Sequence, residues 1–146
     1  MEANDNTPHG IDVEGVSRYF RSLQTRITSA LDMEEGNVIF EADPENHPGG
    51  GLSYPMIAQG GSVIEKAAVN FSHSKGDSLP KAATERRAEL VGCGFEALAI
   101  SLIVHPRNPY VPTTHANLRL FVVSREGEIK DWWFGGGFDL TPYYGF

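Results

Sequence analysis

The segment from Phe95 to His105 is almost continuously apolar, and it constrains the fold more than any other part of the sequence. A short apolar run of this kind is typical of a β-strand that is buried on both faces. We therefore expect the chain to be organised around a sheet that contains this segment.

Other segments supply partners for this strand. Ser62–Ser72 carries apolar groups and predicts a second strand, and Asn37–Glu41 predicts a short one. Asn117–Ser124 and Glu128–Phe134 flank the short turn 125–127, and this arrangement predicts a hairpin. Connections this short favour antiparallel pairing.

One helix is predicted near the N-terminus. Apolar residues recur there at spacings of three and four, which is typical of an amphipathic helix. The helix is expected to run from about Asp12 to Glu35 and to end at Gly36. Together with the strands, it indicates an α+β fold, a large and mainly antiparallel sheet flanked by helices. The recurring apolar residues are Val16, Phe20, Leu23, Ile27 and Leu31.

Three segments are predicted to be irregular. Met1–Gly10 is polar and is expected to be loose. Asp43–Gly51 is rich in proline and glycine, so we expect a mobile loop there. Ser78–Leu90 predicts a loop with one helical turn.

The length of 146 residues fits a single domain. We assign residues 11–146 to it. The chain stops within an aromatic and glycine-rich segment, residues 132–146, rather than in polar residues. We therefore expect these residues to be the N-terminal part of a domain that continues beyond Phe146.

Charge and composition exclude several classes of function. The formal net charge of −7 argues against nonspecific nucleic-acid binding. No apolar run approaches the ~18 residues of a membrane span, and Met1–His9 carries no secretory or transit signal. The single cysteine, Cys93, fits a reducing compartment and is expected to be packed rather than reactive. These features predict a cytoplasmic protein.

Two histidines stand at the ends of a proline-rich connection. His105 and His115 enclose three prolines, which fix φ and stiffen the chain. Histidine suits proton transfer near neutral pH and metal ligation, so both are candidate functional residues. The alternative is that backbone carbonyls satisfy both rings. Arg107 and Arg119 could bind a carboxylate, with a surface ion pair as the alternative for each.

A second candidate lies in the segment that follows the hairpin. The three glycines 135–137 would let a flat ligand approach the backbone closely. In an apolar setting, Asp139 would be an acceptor for several N–H donors or a base whose pKa is set by burial. The alternative is a turn in which Asp139 caps a helix beginning near Thr141. The adjacent Trp132 and Trp133 are expected on opposite faces of a strand.

Three blocks resemble the oxygen-dependent coproporphyrinogen III oxidase family. They are residues 60–76 (GGSVIEKAAVNFSHSKG), 101–121 (SLIVHPRNPYVPTTHANLRLF) and 131–146 (DWWFGGGFDLTPYYGF). The last two are highly specific strings, and the resemblance covers about Gly60 to Phe146.

The resemblance implies a concrete reaction. Family members oxidatively decarboxylate two propionates of coproporphyrinogen III to vinyl groups, which gives protoporphyrinogen IX in heme biosynthesis. Molecular oxygen is the co-substrate and no organic cofactor is expected, whereas the need for a divalent metal is left open. The implied fold is a large antiparallel sheet flanked by helices, and the implied assembly is a homodimer.

The resemblance also implies roles for individual residues. His115 corresponds to a proposed proton donor, and Asp139 to an aspartate that faces the pyrrole nitrogens. His105 and His115 correspond to two proposed ligands of a divalent metal. The implied substrate-binding positions are Ser101, Asn117, Leu118 and Arg119.

Two other interpretations stay open. No Lys or Arg occurs between Arg26 and Lys66, a segment in which the resemblance implies arginines that bind propionates. This absence favours a catalytically inactive relative that binds tetrapyrroles or serves as a dimer partner. A histidine-based metal hydrolase is the third interpretation, and it depends on His105 and His115 alone.

Overall fold

The computed structural model describes residues 10–43, 45–47, 51–79, 84–85 and 87–145. Within these ranges the chain forms one α-helix, a 3-10 turn at Ala88–Leu90 and seven strands. In chain order, the larger elements are α1 (Val13–Glu35), β1 (Glu41–Ala42), β2 (Glu45–His47), β3 (Gly51–Gln59), β4 (Ile64–Gly76), β5 (Gly94–Pro106), β6 (Thr113–Arg125) and β7 (Glu128–Thr141).

The strands form one sheet in which every described pair is antiparallel. The order across the sheet is β1-β3-β4-β5-β6-β7, and β2 also pairs with β3. The predicted α+β fold with a large antiparallel sheet is therefore confirmed. In the described ranges, α1 is the α-helix that flanks this sheet.

The bounds of α1 agree with the sequence prediction because both caps are local. The Asp12 carboxylate accepts a hydrogen bond from the backbone N–H of Gly15 at 2.8 Å, which satisfies one free donor of the first turn. Gly36 ends the helix with φ of 84°, in the left-handed region that favours glycine.

The core lies between α1 and one face of the sheet, here called the helix face. The opposite face is called the open face. Alternating residues of the central strands meet the apolar stripe of α1, and the Gln24 side chain donates to the carbonyls of Tyr54 and Val69 at 2.7 and 2.8 Å. The buried core includes Phe20, Phe71, Leu98, Ile100 and Leu120.

The last residue of α1 joins the helix to the turn before β4. The Glu35 carboxylate accepts hydrogen bonds from the backbone N–H groups of Ser62, Val63 and Ile64, and from the Ser62 hydroxyl. The bond from Ile64, followed by that from the Ser62 hydroxyl, lowers the pKa of Glu35 from 4.5 to about 2. The buried carboxylate therefore fixes the C-terminal end of α1 against the sheet.

The structure corrects the sequence prediction before β4. β3 was not predicted, although its residues alternate between the two faces. The loop prediction for Asp43–Gly51 is wrong at Glu45–His47, because pairing with β3 overrides the turn-forming residues around it. The strand predicted at Asn37–Glu41 is shifted to Glu41–Ala42. Ile39 lies before this strand, and its backbone N–H donates a hydrogen bond to the Asp32 side chain at 2.8 Å.

The structure also corrects the prediction for β5. The strand is present, but its buried residues, Leu98 and Ile100, lie on the helix face only, and Ser101 on the other face is exposed. On the open face this run carries Phe95, alanines and Ile103. Within the described residues, a small cluster of Leu90, Cys93 and Val123 covers the face only at the end where Val123 pairs with Phe95. The connection to β6 is shorter than the 105–119 segment suggests, since β6 begins at Thr113.

The remaining predictions agree with the described residues. The hairpin is confirmed as β6 and β7, and the helical turn predicted within Ser78–Leu90 corresponds to Ala88–Leu90. Cys93 is fully buried, as expected. Parts of three segments predicted as irregular lie outside the described residues, namely 1–9, 44 with 48–50, and 80–83 with 86.

None of the helices in the described ranges has the length and apolar character that a membrane span requires.

The turn between β6 and β7 yields the first testable prediction. Glu126 and Gly127 both have positive φ, 54° and 80°, as two-residue hairpin turns require. Asparagine tolerates this conformation better than glutamate, so Glu126→Asn is expected to raise the free energy of unfolding by about 0.5–1 kcal/mol. Urea unfolding measures this change. Gly127→Ala is the opposing variant and should lower stability.

The Glu35 carboxylate yields the second prediction. Its pKa in the folded protein lies below the ordinary value, so its bonds stabilise the fold above about pH 4.5 and are lost as pH falls toward 2. Glu35→Gln should therefore lower the urea midpoint most near neutral pH, with the difference from wild type narrowing across that acid range. Exposed Glu34→Gln is the matched control. A difference that stays constant with pH would contradict the assigned role.

Candidate functional site

Strand register brings most of the predicted site residues onto the open face. Side chains alternate between the faces of a strand, and residues paired across neighbouring strands share a face. The registers pair Ser101 with Asn117, and His115 with Asp139. The predicted residues on the open face are Ser101, His105, His115, Asn117, Arg119 and Asp139.

Leu118 is the exception among the predicted site residues. It pairs with Ile100, whose side chain is buried in the core, so Leu118 lies on the helix face. There it lines a groove beside α1 together with Phe20 and Phe134. Its side chain therefore cannot contact a ligand that lies on the open face.

His115 and Asp139 form a hydrogen-bonded pair on the open face. His115 Nδ1 lies 2.8 Å from Asp139 Oδ1, and the Thr141 hydroxyl donates to the same oxygen at 2.9 Å. An ionised carboxylate only accepts hydrogen bonds, so Nδ1 carries the proton of the His115–Asp139 bond. In the neutral imidazole, Nε2 is then an acceptor, and it has no hydrogen-bond partner among the described residues.

Asp139 is an exposed anion and not a buried base. Its side chain is 59% exposed, and the hydrogen bond from His115, followed by that from Thr141, lowers its pKa below the ordinary value. The apolar setting considered for Asp139 is therefore not observed, and hydrogen bonds rather than burial set the direction of its pKa shift. The helix-cap alternative is wrong, because Asp139 lies within β7.

His105 is oriented by a neighbouring strand. Its Nδ1 lies 3.3 Å from the hydroxyl of Thr113 in β6. His115 pairs with Ile103, so the two histidines are diagonal neighbours across β5 and β6. Residues in this relation lie on the order of 7–8 Å apart, within reach of long side chains. The two histidines therefore belong to one surface.

The described residues do not provide a complete metal site. They contain no group of three or more His, Cys, Asp or Glu side chains that could hold a metal ion. Two imidazoles in diagonal positions are too few ligands for the usual divalent sites.

Small residues make the open face flat at the β6–β7 edge of the sheet. Gly135 and Gly137 lie opposite Arg119 and Asn117. The intervening Gly136 lies on the helix face, where an added Cβ would approach Asn117 O to 2.5 Å. The surface holds a shallow cavity of about 200 Å³, lined by Asn117, Arg119, Phe121, Trp133, Gly135, Gly136 and Gly137.

Aromatic rings border this surface at one end. Phe121 stacks on Phe95 with ring centroids 5.3 Å apart and on Trp133 at 4.9 Å. Trp132 packs against the core, which confirms that the two tryptophans lie on opposite faces. The sequence analysis missed the stack, although period-two alternation together with the hairpin register would have placed Phe121 beside Trp133.

A second aromatic group lies beyond the His105 end of the sheet. The rings of Tyr110 and Tyr144 are 5.4 Å apart, and Tyr143 meets Tyr144 edge-on at 5.6 Å. Arg107 lies with Tyr110 in the connection between β5 and β6, and its Nε donates a hydrogen bond to Gly61 O at 2.9 Å. This bond anchors the connection to the turn before β4, a role that the sequence did not suggest.

A comparison with protein families places these features in context. The family model described as coproporphyrinogen III oxidase matches residues 15–146. The chain belongs to the coproporphyrinogen III oxidase family. Membership confirms the resemblance seen in the sequence and extends it toward the N-terminus. At family level it supports coproporphyrinogen as substrate and a role in heme biosynthesis.

The ionisation of Asp139 in this coproporphyrinogen III oxidase family member provides the third prediction. Because the His115 bond is the larger cause of its lowered pKa, His115→Ala should return the pKa of Asp139 toward 3.8. Thr141→Val should raise it less. Carboxyl carbon NMR titration of the two variants measures both shifts. An unchanged pKa in His115→Ala would show that the pair does not form in solution.

Proposed function

We propose that this protein catalyses the oxygen-dependent decarboxylation of two propionates of coproporphyrinogen III, giving protoporphyrinogen IX. The observation that carries the proposal is the His115–Asp139 pair on a flat face built from small residues. Each propionate reacts with one O2 and one proton to give a vinyl group, CO2 and H2O2. In this balance, one carbon–carbon bond and one carbon–hydrogen bond of the side chain are broken.

Asp139 would bind the central N–H groups of the substrate. Its two hydrogen bonds to the protein both use Oδ1. Among the described residues no donor reaches Oδ2, which can therefore accept from a pyrrole N–H. Ionised Asp139 is suited to this task because a carboxylate accepts several hydrogen bonds. Binding at the N–H groups orients the macrocycle and increases the electron density of the pyrrole.

His115 would handle protons beside the bound pyrrole. Its Nδ1–H is held by Asp139, and its free Nε2 is available to take up a proton or, once protonated, to deliver one. The carboxylate fixes the orientation of the ring and stabilises the imidazolium. A proton delivered by His115 matches the proton consumed for each H2O2 that forms.

The electrons would come from the substrate itself. A reduced pyrrole is electron-rich, and deprotonation at nitrogen increases its ability to reduce O2. The proposal therefore names molecular oxygen as the co-substrate and requires no organic cofactor. The protein contributes binding, orientation and fixed charges to this reaction.

Polar side chains on the same face would bind the rim of the macrocycle. Arg119 is exposed and can form two parallel hydrogen bonds with a propionate. Ser101 and Asn117 are paired across β5 and β6, one step from His115 along the face. Their hydroxyl and amide groups offer neutral hydrogen bonds that complement the charge of Arg119.

We further propose that the protein forms a homodimer and acts in the cytoplasm. The family resemblance supports the dimer. The single buried cysteine fits a reducing compartment. Light scattering on the purified protein measures the oligomeric state.

The fourth prediction concerns turnover. Incubating the protein with coproporphyrinogen III and air, and then oxidising the product, should give protoporphyrin fluorescence. Asp139→Asn keeps the shape of the side chain but removes its charge, and it should slow turnover by about 100-fold or more. Its circular dichroism should stay that of wild type.

Glu128→Gln is the matched control for turnover. Glu128 is an exposed carboxylate at the far end of the same strand, and its loss should leave turnover unchanged. Equal activity of Asp139→Asn and wild type would refute the role of Asp139. Substrate binding without product from wild type would instead support the inactive tetrapyrrole-binding relative.

A further inference from the structure

The His105 end of the open face carries a cation that the sequence analysis did not assign to the site. Lys66 in β4 pairs directly with His105 in β5. The adjacent Ala67 is buried in the core, so strand alternation places the Lys66 side chain on the open face. Register thus makes Lys66 a neighbour of the candidate site.

Lys66 is exposed and has no ion pair within the described part of the chain. Lys75 differs from Lys66 in this respect, because it lies on the helix face of β4 and forms an ion pair with Glu96 at 3.0 Å. The ammonium of Lys66 is therefore available to a ligand. The same holds for Arg119, which takes part in none of these ion pairs either.

The two cations lie far apart on the surface. Arg119 in β6 pairs with Ala99 of β5, and Lys66 in β4 pairs with His105 of β5. The two cations are therefore separated by three two-residue steps along the strands and by two strand spacings across the sheet. Strand geometry makes this separation about 20 Å along the strands and about 10 Å across them. Long flexible stems let both charged groups lean inward over the surface between them.

That surface leaves room for a broad ligand. The positions between the two cations include the small side chains of Ala68 and Ser101, beside Ile103. Asp139 lies on β7, outside the strands that carry the two cations. It is one strand spacing and two two-residue steps from Arg119, and three strand spacings and one such step from Lys66. Its charge attracts N–H donors and repels carboxylates. Carboxylates of a bound ligand are therefore favoured away from Asp139, beside the two cations.

We propose that Lys66 binds a carboxylate at the rim of the macrocycle and acts as a second anchor opposite Arg119. The proposal rests on the function proposed above and adds a residue that determines specificity for a polycarboxylate. Lysine provides a compact charge on a flexible stem, which suits a propionate whose position changes as the flexible macrocycle binds. Lys66 thus supplies a cation that does not come from the segment 27–65, where the sequence has none.

Binding of coproporphyrin III provides the fifth prediction. This oxidised tetracarboxylate can be titrated without turnover, with quenching of tryptophan fluorescence as the signal. Lys66→Met removes one charge-assisted contact and should weaken binding about tenfold, with a smaller dependence on salt. Lys66→Arg keeps the charge and should bind within about twofold of wild type.

Two controls separate this role from general electrostatics. Lys75→Met removes the same charge from the helix face of the same strand and should leave binding unchanged. The tetramethyl ester of coproporphyrin III carries no carboxylate, so Lys66→Met should bind it as wild type does. Equal losses in Lys66→Met and Lys75→Met would overturn the proposal, as would unchanged binding of the tetracarboxylate by Lys66→Met.

The binding measurement is independent of catalysis. If wild type binds coproporphyrin III but forms no product from coproporphyrinogen III, the proposed oxidase function fails while the role of Lys66 is still tested. If wild type turns over and Lys66→Met shows an unchanged KM and unchanged binding, the anchor fails and the oxidase function stands.

Discussion

The register of the β6–β7 hairpin is the constraint on which the candidate site depends. His115 and Asp139 are 24 positions apart in the sequence, and they meet only because the two strands pair around the turn at Glu126 and Gly127. Side chains alternate with a period of two, so a slip of one residue would send Asp139 to the helix face. Burial of Trp132 against the core opposes such a slip.

The two faces of the sheet divide stability from chemistry. The helix face carries the large apolar side chains that α1 covers, and Glu35 and Gln24 fix the helix there through backbone groups of the sheet. Away from the stack of Phe95, Phe121 and Trp133, the open face instead carries mainly small and polar residues. Most polar residues there can change without loss of core packing. The His115–Asp139 pair and the cations that lack ion pairs within the described residues lie on this face.

The net charge of the chain does not predict the local charge of the open face. The chain carries a formal charge of −7, yet its open face presents Lys66 and Arg119 as cations without ion pairs in the described residues. Local potential depends on which side chains share a face and on how far solvent and salt screen them. An acidic chain can therefore offer binding sites for carboxylates.

The sequence by itself determined the bounds of α1, the hairpin, the antiparallel α+β fold and the family, because caps, turns, periodicity and motifs are local properties. It also singled out His115 and Asp139 as residue types suited to the chemistry. Only the tertiary structure decided that they touch, that Asp139 is an exposed anion, and that Leu118 lies on the other face. It also revealed β3 and the position of Lys66 opposite His105. These properties depend on register and burial, which are fixed by pairing between segments that are distant in the chain.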